Sequence, residues 1–516
     1  MPERAVERGV SVAGRDRDHA RGRGSGGSDG SGGSGGAVVG WVSAALALLL
    51  VAGVAGWQLG WFDRFLDDDP APPGPEDPAT VAPPPDVDVP PVAKPRPVAP
   101  AADTRVRLDL AAVESALTAN LTDRDLGRHV LAAVAPLEGG TAYDYVSSGA
   151  DLAIPASTTK VVTSAAALSL LGPDHVFTTR TVLTGGGGAP RLVLVGGGDP
   201  FLLSSPQAQW GTSTPATVSP PKADVVTLAR RTARALVADG VRKVRLGYDD
   251  SLFSGPSENP AWRADYIPDG VVSPITALWV DEGRDPIGYG RVADPSLTAT
   301  VLFEKALVAA GISVVGSPQP ASARGGDDVA AVDSAPLAQI VQRVLEVSDN
   351  EASEVLLRHI GLADGGDGSF VGGQAAVQRV LQANGIKMRG SVLYDGSGLS
   401  RENLMSPQLL VDVIRWAASD EHPELRAVLS GLPVAGFTGS LADRFDHGAA
   451  EGPGRVRAKT GTLTGVTSLA GIAVDLDGSL LVFALMADRV RPSRSGLAQV
   501  AMDDAASTLG ACTCAR

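Results

Sequence analysis

Cysteine is nearly missing from this chain: 516 residues contain two, Cys512 and Cys514, near the C-terminus. A disulfide-framed scaffold is thereby excluded. With one residue between them, the pair has a spacing poor for an ordinary disulfide and too few ligands for zinc. The six histidines fall at no metal-binding spacing, so no metal site is expected. No Ser, His and Asp set suggests a hydrolytic triad. Gly-x-Ser-x-Gly strings occur at Ser28 and Ser34, but in a Gly- and Ser-rich stretch lacking the strand and helix of a nucleophile elbow. Phosphate-cradling loops and dinucleotide fingerprints are absent as well, so no cofactor is called for. Positive charge is short: the net charge of −14 argues against nucleic acid as a partner. Lysine is scarce, at seven residues.

Two of those seven lysines sit in ordered motifs. Ser157-Thr158-Thr159-Lys160, Ser348-Asp349-Asn350 and Lys459-Thr460-Gly461-Thr462 follow one another as SxxK, SxN and KTG, the order of active-site elements in penicillin-interacting serine enzymes. Pro155 precedes Ser157, and Lys160 to Leu171 is a run of good helix formers stopped by Gly172-Pro173. Ser157 is therefore expected in the first turn of a helix, with Lys160 on the same face. A serine hydroxyl becomes a nucleophile when a neighbouring base takes its proton, and an amine one turn away can do so. The helix N-terminus favours negative charge on that oxygen and disfavours the protonated amine. Taken alone, the tetrad reads better as a helix cap with a surface lysine. A second SxxK, Ser219-Pro220-Pro221-Lys222, is spoiled by two prolines that cannot sit inside a helix.

Ser348-Asp349-Asn350 joins two helical runs, Leu337–Leu345 and Glu351–Arg358. Such a junction can push a hydroxyl and an amide into a cleft, or serve as a plain cap. The competing Ser257-Glu258-Asn259 lies between Gly255-Pro256 and Pro260 and reads as an exposed turn. Lys459 opens a strand. Beyond it, Ser468–Val474 and Leu480–Met486 flank Asp477-Gly478, a hairpin signal. Gly461 is expected to leave room for a ligand against the backbone. The lysine and the two threonines offer charge and hydroxyls to a carboxylate.

With these motifs in place the chain closely resembles the D-alanyl-D-alanine carboxypeptidase/endopeptidase family with a large insert, the class C penicillin-binding proteins (peptidase family S13). The resemblance spans about four hundred residues and includes Val195–Pro200, Asp395–Arg401 and Leu432–Gly436. It implies an α+β class: a β-lactamase/transpeptidase-like domain, an antiparallel sheet flanked by helices, split by an inserted β-rich region. It also implies a serine D-Ala-D-Ala carboxypeptidase, with endopeptidase action open, that cuts peptidoglycan stem peptides through an acyl-enzyme and is inhibited by β-lactams. Ser157 would be the nucleophile, Lys160 its proton acceptor and Ser348 the relay to the leaving amine. Asn350 would hold the substrate amide, while Lys459, Thr460, Gly461 and Thr462 would face the terminal carboxylate. The oxyanion would lie between the N–H groups of Ser157 and Thr462. Asp250 and Arg401 resemble the family's recognition of a diamino acid side chain, or are a turn acid and a surface arginine. The chain departs from the family at Phe437–Leu441, where an Asp is usual. A β-lactamase, or a penicillin-binding scaffold without turnover, are the other readings.

The remaining segments fit a surface enzyme. Residues 1–36 are polar and Gly-rich, expected to be a disordered cytoplasmic tail. Residues 37–62 include a nearly apolar run, Val38 to Trp61, long enough to span a bilayer, with Trp41, Trp57 and Trp61 near its ends. Six arginines precede it and Asp67 to Asp69 follow, which sets the N-terminus inside and the bulk on the cell-wall side. A cleaved signal peptide is the rival, but no Ala-x-Ala site follows. Residues 63–103 form a Pro-rich, semi-rigid spacer. The catalytic domain is expected at 104–183 and 328–510, inserted domains at 184–327, and a tail at 511–516.

Overall fold

The computed structural model describes residues 106–185, 189–208, 219–285 and 290–515. The expected tail, membrane span and spacer lie outside them. Among the described residues no helix is long and apolar enough to cross a membrane. The class is α+β.

Two apolar hairpins build the first sheet. Strand β1 (Val130–Pro136) pairs with β2 (Tyr143–Val146), while β9 (Val456–Leu463), β10 (Val466–Val474) and β11 (Leu480–Ala487) form a meander. All pairings are antiparallel and the order is β2-β1-β11-β10-β9, so β9 is an edge strand, its first residues bridged by Pro433 to Ala435. The central strands read as unbroken apolar runs because both faces are covered. Leu131, Ala133, Val482, Ala484 and Met486 pack to one side with the helices Thr159–Leu171, Leu337–Val347, Asn350–Ala363, Phe370–Ala383 and Pro407–Ala418. Their alternates, Val130, Ala132, Val134, Phe483 and Leu485, pack to the other with Leu110–Leu121 and Ser495–Gly510. The period-two alternation of a strand thus divides one sheet between two cores.

The helix Thr159–Leu171 is buried over ten consecutive residues, Thr159 to Leu168. Its small side chains, Ser164 through Ala167, let neighbours approach from every side. The rigid rod that carries the SxxK motif is therefore central to the larger core.

A second sheet gathers β3 (Thr178–Thr184), β4 (Arg191–Val195), β5 (Lys243–Asp249), β6 (Ser313–Val314), β7 (Gln319–Pro320) and β8 (Asp327–Asp333). Its order is β6-β5-β4-β3-β8, with β7 also on β5. The β4–β5 and β5–β6 pairs are parallel, which requires crossovers. Helices Val225–Ala238 and Pro295–Ala309 supply them and share one apolar cluster with the sheet. The expected β-rich region is therefore a mixed α/β layer. Its strands also run past both expected limits, since β3 and β8 pair with each other.

The cysteine expectation is corrected. Cys512 and Cys514 are disulfide-bonded, because the chain bends there to a Cα–Cα distance of 5.3 Å, within ordinary disulfide reach. Nor are these residues a loose tail. Cys514 and Ala515 are buried, Ala515 bridges Leu108, and Asp109 N–H donates to the Cys514 carbonyl at 2.9 Å.

Phe483 is fully buried in the shared sheet. Phe483→Ala is expected to lower unfolding free energy by about 3–5 kcal/mol, measured by chemical denaturation.

Candidate active site

Ser157 lies in a single 3-10 turn, Ala156–Thr158, that runs directly into the helix Thr159–Leu171. Ala156 adopts φ 48°, a conformation that non-glycine residues hold only when neighbours impose it. Here they do. Thr158 Oγ1 donates to the Pro155 carbonyl at 2.7 Å, Thr159 Oγ1 to the Ala156 carbonyl at 2.8 Å, and Ser468 Oγ to the Pro155 carbonyl at 2.6 Å. The two threonines between Ser157 and Lys160 are thus turn locks.

Lys160 is fully buried. Its Nζ donates to Ser157 Oγ at 3.0 Å, Asn350 Oδ1 at 2.8 Å and the Ser397 carbonyl at 2.7 Å. Burial lowers the amine from 10.5 to about 8, against the pull of Asp395, Glu354, Asp349 and Glu351. A neutral amine is then accessible near neutral pH and sits within hydrogen-bond reach of a hydroxyl, as a general base requires.

The Ser397 carbonyl is aimed by a tightly folded loop. Buried Asp395 accepts from Gly398 N at 2.9 Å, Ser400 N at 2.5 Å, Asn403 Nδ2 at 2.6 Å and Trp262 Nε1 at 3.0 Å. Glu354 receives Gly396 N and Ser397 N, and burial pushes its carboxyl up to about 8 in spite of them. Gly398, at φ 86°, tucks beneath the nucleophile turn: a Cβ there would lie 1.8 Å from the Ala156 carbonyl oxygen.

The junction between the helices Leu337–Val347 and Asn350–Ala363 splits its tripeptide among distinct jobs. Ser348 caps the first helix at φ 63°. Asp349 caps the second by accepting from Ala352 N at 3.0 Å. Asn350 accepts from Lys160 and donates Nδ2 to the Val271 carbonyl at 3.4 Å. The cap reading holds for Ser348 and Asp349, and Asn350 is the residue of the three that bonds to Lys160. Ser348 lies two residues before Asn350, which accepts from Lys160.

On β9, Lys459 is fully buried and donates to the Thr460 carbonyl at 2.9 Å. Burial, then Lys160 and Arg444, drive its amine well below 10.5. Thr460 Oγ1 meets Ser440 Oγ at 2.9 Å, and exposed Thr462 accepts from Gln499 Nε2 at 3.1 Å. Gly461 corrects its expectation. The space it leaves is filled by protein: a Cβ would lie 2.1 Å from Ser468 Oγ, 2.5 Å from the Pro155 carbonyl oxygen and 3.2 Å from Ser157 N. The glycine lets β9 lie against the nucleophile turn.

A buried amine joined to a serine, set beside an edge strand, is the equipment of acyl transfer. The sequence model of the D-Ala-D-Ala carboxypeptidase 3 (S13) family matches residues 113–289 and 286–509. The chain belongs to that family. It is a serine-type D-Ala-D-Ala carboxypeptidase, a hydrolase of the penicillin-binding protein group. Carboxypeptidase Rv3627c of Mycobacterium tuberculosis is 35% identical over 424 residues, covering 81% of this chain and 87% of that protein. Penicillin binding protein 4 of Haemophilus influenzae matches with TM-score 0.61 and 20% identity, over 77% of this chain and 98% of its own. Its complex with a β-lactam matches at 0.56 and 21%, over 75% and 97%. At such identities these structures share the fold.

In this carboxypeptidase, Asp250 accepts from Ser296 Oγ at 2.7 Å, at the start of the helix Pro295–Ala309. That bond ties the second sheet's strand β5 to its own helix. Arg401 donates to the Thr464 carbonyl in the β9–β10 turn. The group set in its field is Tyr266, which also feels Arg263, Asp265 and Asp395. The rejected Ser257-Glu258-Asn259 is irregular, as expected, but Asn259 is buried, with Nδ2 donating to the Tyr394 carbonyl at 2.7 Å. Its amide bridges to Tyr394, while Gly255, Pro256, Glu258 and Pro260 are exposed, as expected of a turn. Sequence reasoning missed Glu354, Asp395 as a loop organiser, Ser397, Ser440 and Ser468. Glu354 and Ser468 fell inside runs read only as a helix and a strand, while the Asp395–Arg401 string and the departure at Phe437–Leu441 drew attention to the others.

Gly398→Ala should push the Ser157 turn away from Lys160. D-alanine release from a pentapeptide is expected to fall by about tenfold or more, since an ångström of misplacement can cost on the order of a hundredfold.

Proposed function

We propose that Ser157 Oγ attacks the carbonyl carbon of the penultimate D-Ala in a stem peptide, with Lys160 taking its proton. The observation that carries this reading is the 3.0 Å bond from Lys160 Nζ to Ser157 Oγ, made by a buried amine lowered to about 8. The new C–O bond forms a tetrahedral intermediate, and the C–N bond then breaks. Ser348 passes the proton to the departing amine of the terminal D-Ala. Water hydrolyses the ester and restores Ser157.

The edge position of β9 supports the binding roles. The two-residue loop Thr464-Gly465 closes on the pair Leu463 and Val466, so alternation along the ladder turns the Thr462 N–H off the sheet edge. That N–H and the Ser157 N–H serve as oxyanion donors. Asn350 positions the substrate amide, while Lys459, Thr460 and Thr462 attract the terminal carboxylate. Arg401, beside Tyr266, faces the diamino acid side chain.

β-Lactams acylate the same serine, a reading the Haemophilus complex supports. Cleavage of cross-links would use identical chemistry. The apolar run Val38 to Trp61, with arginines before it, anchors the enzyme in the cell membrane with the catalytic region on the cell-wall side. The Cys512–Cys514 disulfide suits the oxidising side.

A fluorescent penicillin is expected to label the wild-type chain and leave Ser157→Ala unlabelled; labelling of both would sink the nucleophile assignment. D-Alanine release from a pentapeptide, compared with cleavage of a cross-linked dimer, separates carboxypeptidase from endopeptidase action. Fast turnover of a chromogenic cephalosporin would favour a β-lactamase instead.

The sign of the pH dependence follows from Lys160. Its amine is mostly protonated below about 8, so the acylation rate rises with pH through that value and then levels. Lys160→Arg, which stays charged, should abolish labelling throughout.

A further inference from the structure

Behind the Ser348-Asp349-Asn350 junction lies a set of charges that the acyl transfer does not use. Asp281, Glu282 and Gly283 follow one another at φ 51°, 56° and 66°, and two of the three are not glycine. Such a turn persists only where its surroundings over-determine it. Asp281 Oδ1 accepts from Ser204 N at 3.0 Å, and Ser273 Oγ donates to the Glu282 carbonyl at 2.5 Å.

The turn delivers Glu282, 1% exposed, to the junction. Carboxylate oxygens of Glu282, Asp349 and Glu351 all lie within 4.8 Å of one another. Arg284 Nη2 donates to Glu282 Oε2 at 2.9 Å, and Arg291 Nη2 to Glu351 Oε1 at 2.5 Å. Glu282 Oε1 is buried with no N–H or O–H donor to it, and the Glu282 carboxyl shares a hydrogen bond with Asp349 that favours its protonated form. Burial, then Asp349 and Glu351, hold Glu282 well above the usual carboxyl range. Lys222 and Arg343 complete the charges in this field.

Buried ion clusters contribute little net stability, because desolvation offsets the attraction. What this one does constrain is geometry. Asp349 and Glu351 are the residues on either side of Asn350, and Asn350 is further tied to Val271. We propose that Glu282, Arg284 and Arg291 are positioning residues: they clamp Asp349 and Glu351, and so set Ser348 and Asn350 against Lys160. The inference rests on the reading that Ser348 and Asn350 serve the acyl transfer. It makes Glu282, Arg284 and Arg291, far from all three motifs in sequence, working parts of the site.

The test uses the full chain and a fluorescent penicillin, with the dissociation constant of the initial complex separated from the acylation rate, and a melting temperature for each variant. Glu282→Leu keeps the volume and removes the hydrogen bonds. It is expected to acylate about tenfold more slowly, with the dissociation constant nearly unchanged. Glu282→Gln, whose carboxamide donates the same bond to Asp349, should recover most of the rate. Wild-type acylation by Glu282→Leu, or equal loss in Gln and Leu, overturns the proposal. Should Glu282→Leu fail to fold, Arg291→Lys keeps the charge and loses the guanidinium fork; slowed acylation supports the clamp and a wild-type rate overturns it. Ser348→Ala separates the failures. A wild-type rate there sinks the catalytic reading of the junction, whereas a slow Ser348→Ala beside a fast Glu282→Leu sinks the clamp alone.

Discussion

Burying the Lys160 amine removes solvation that three hydrogen bonds must replace, from Ser157 Oγ, Asn350 Oδ1 and the Ser397 carbonyl. Each acceptor belongs to a different part of the chain, so the requirement to satisfy one nitrogen draws three elements together. Burial also lowers the amine to about 8, which gives it a use as a base. Solvation and chemistry are therefore one constraint here. A lysine on the surface would have neither the partners nor the shifted affinity for a proton.

The scaffold is organised around holding that nitrogen still. A sheet covered on both faces fixes the strand β9, and Gly461 lets its edge lie against the Ser157 turn. The helix carrying Lys160 is buried over ten consecutive residues, so it cannot tilt without disturbing the larger core. Asp395 and Glu354 fold the loop that presents Ser397. The irregular segment 254–280 closes the arrangement. Fully buried Arg358 donates to the carbonyls of Ser254, Pro256 and Gly368, while Trp262 and Tyr266 reach the Asp395–Arg401 loop. The second sheet's chain is thus part of the site's wall as well as an appended layer.

Much of the secondary structure was legible because its causes are local. The run Lys160 to Leu171 with its Gly-Pro stop and the hairpin around Asp477-Gly478 both formed where periodicity and turn residues put them. The helix Pro295–Ala309 escaped notice, although Asp294 caps it, because its apolar residues follow no clear stripe. The parallel pairing of β4 with β5 was equally hidden, since strand direction depends on what covers the faces. Cys512 and Cys514 misled because sequence spacing speaks to reach only loosely, and the bend that joins them is held by a distant backbone, at Leu108 and Asp109.

By itself the sequence marked the elements that the structure gathers around one amine: a serine and a lysine one helical turn apart, a polar junction and a strand with its lysine. Those are short-range patterns, set by the rise of a helix and the alternation of a strand. Tertiary structure alone decided that Lys160 is dry, that Gly461 receives a protein turn rather than a ligand, and that Glu282 stands behind Asn350. Each of these depends on contacts between residues that are distant in the chain, where loop closure and packing, not local preference, select the neighbours.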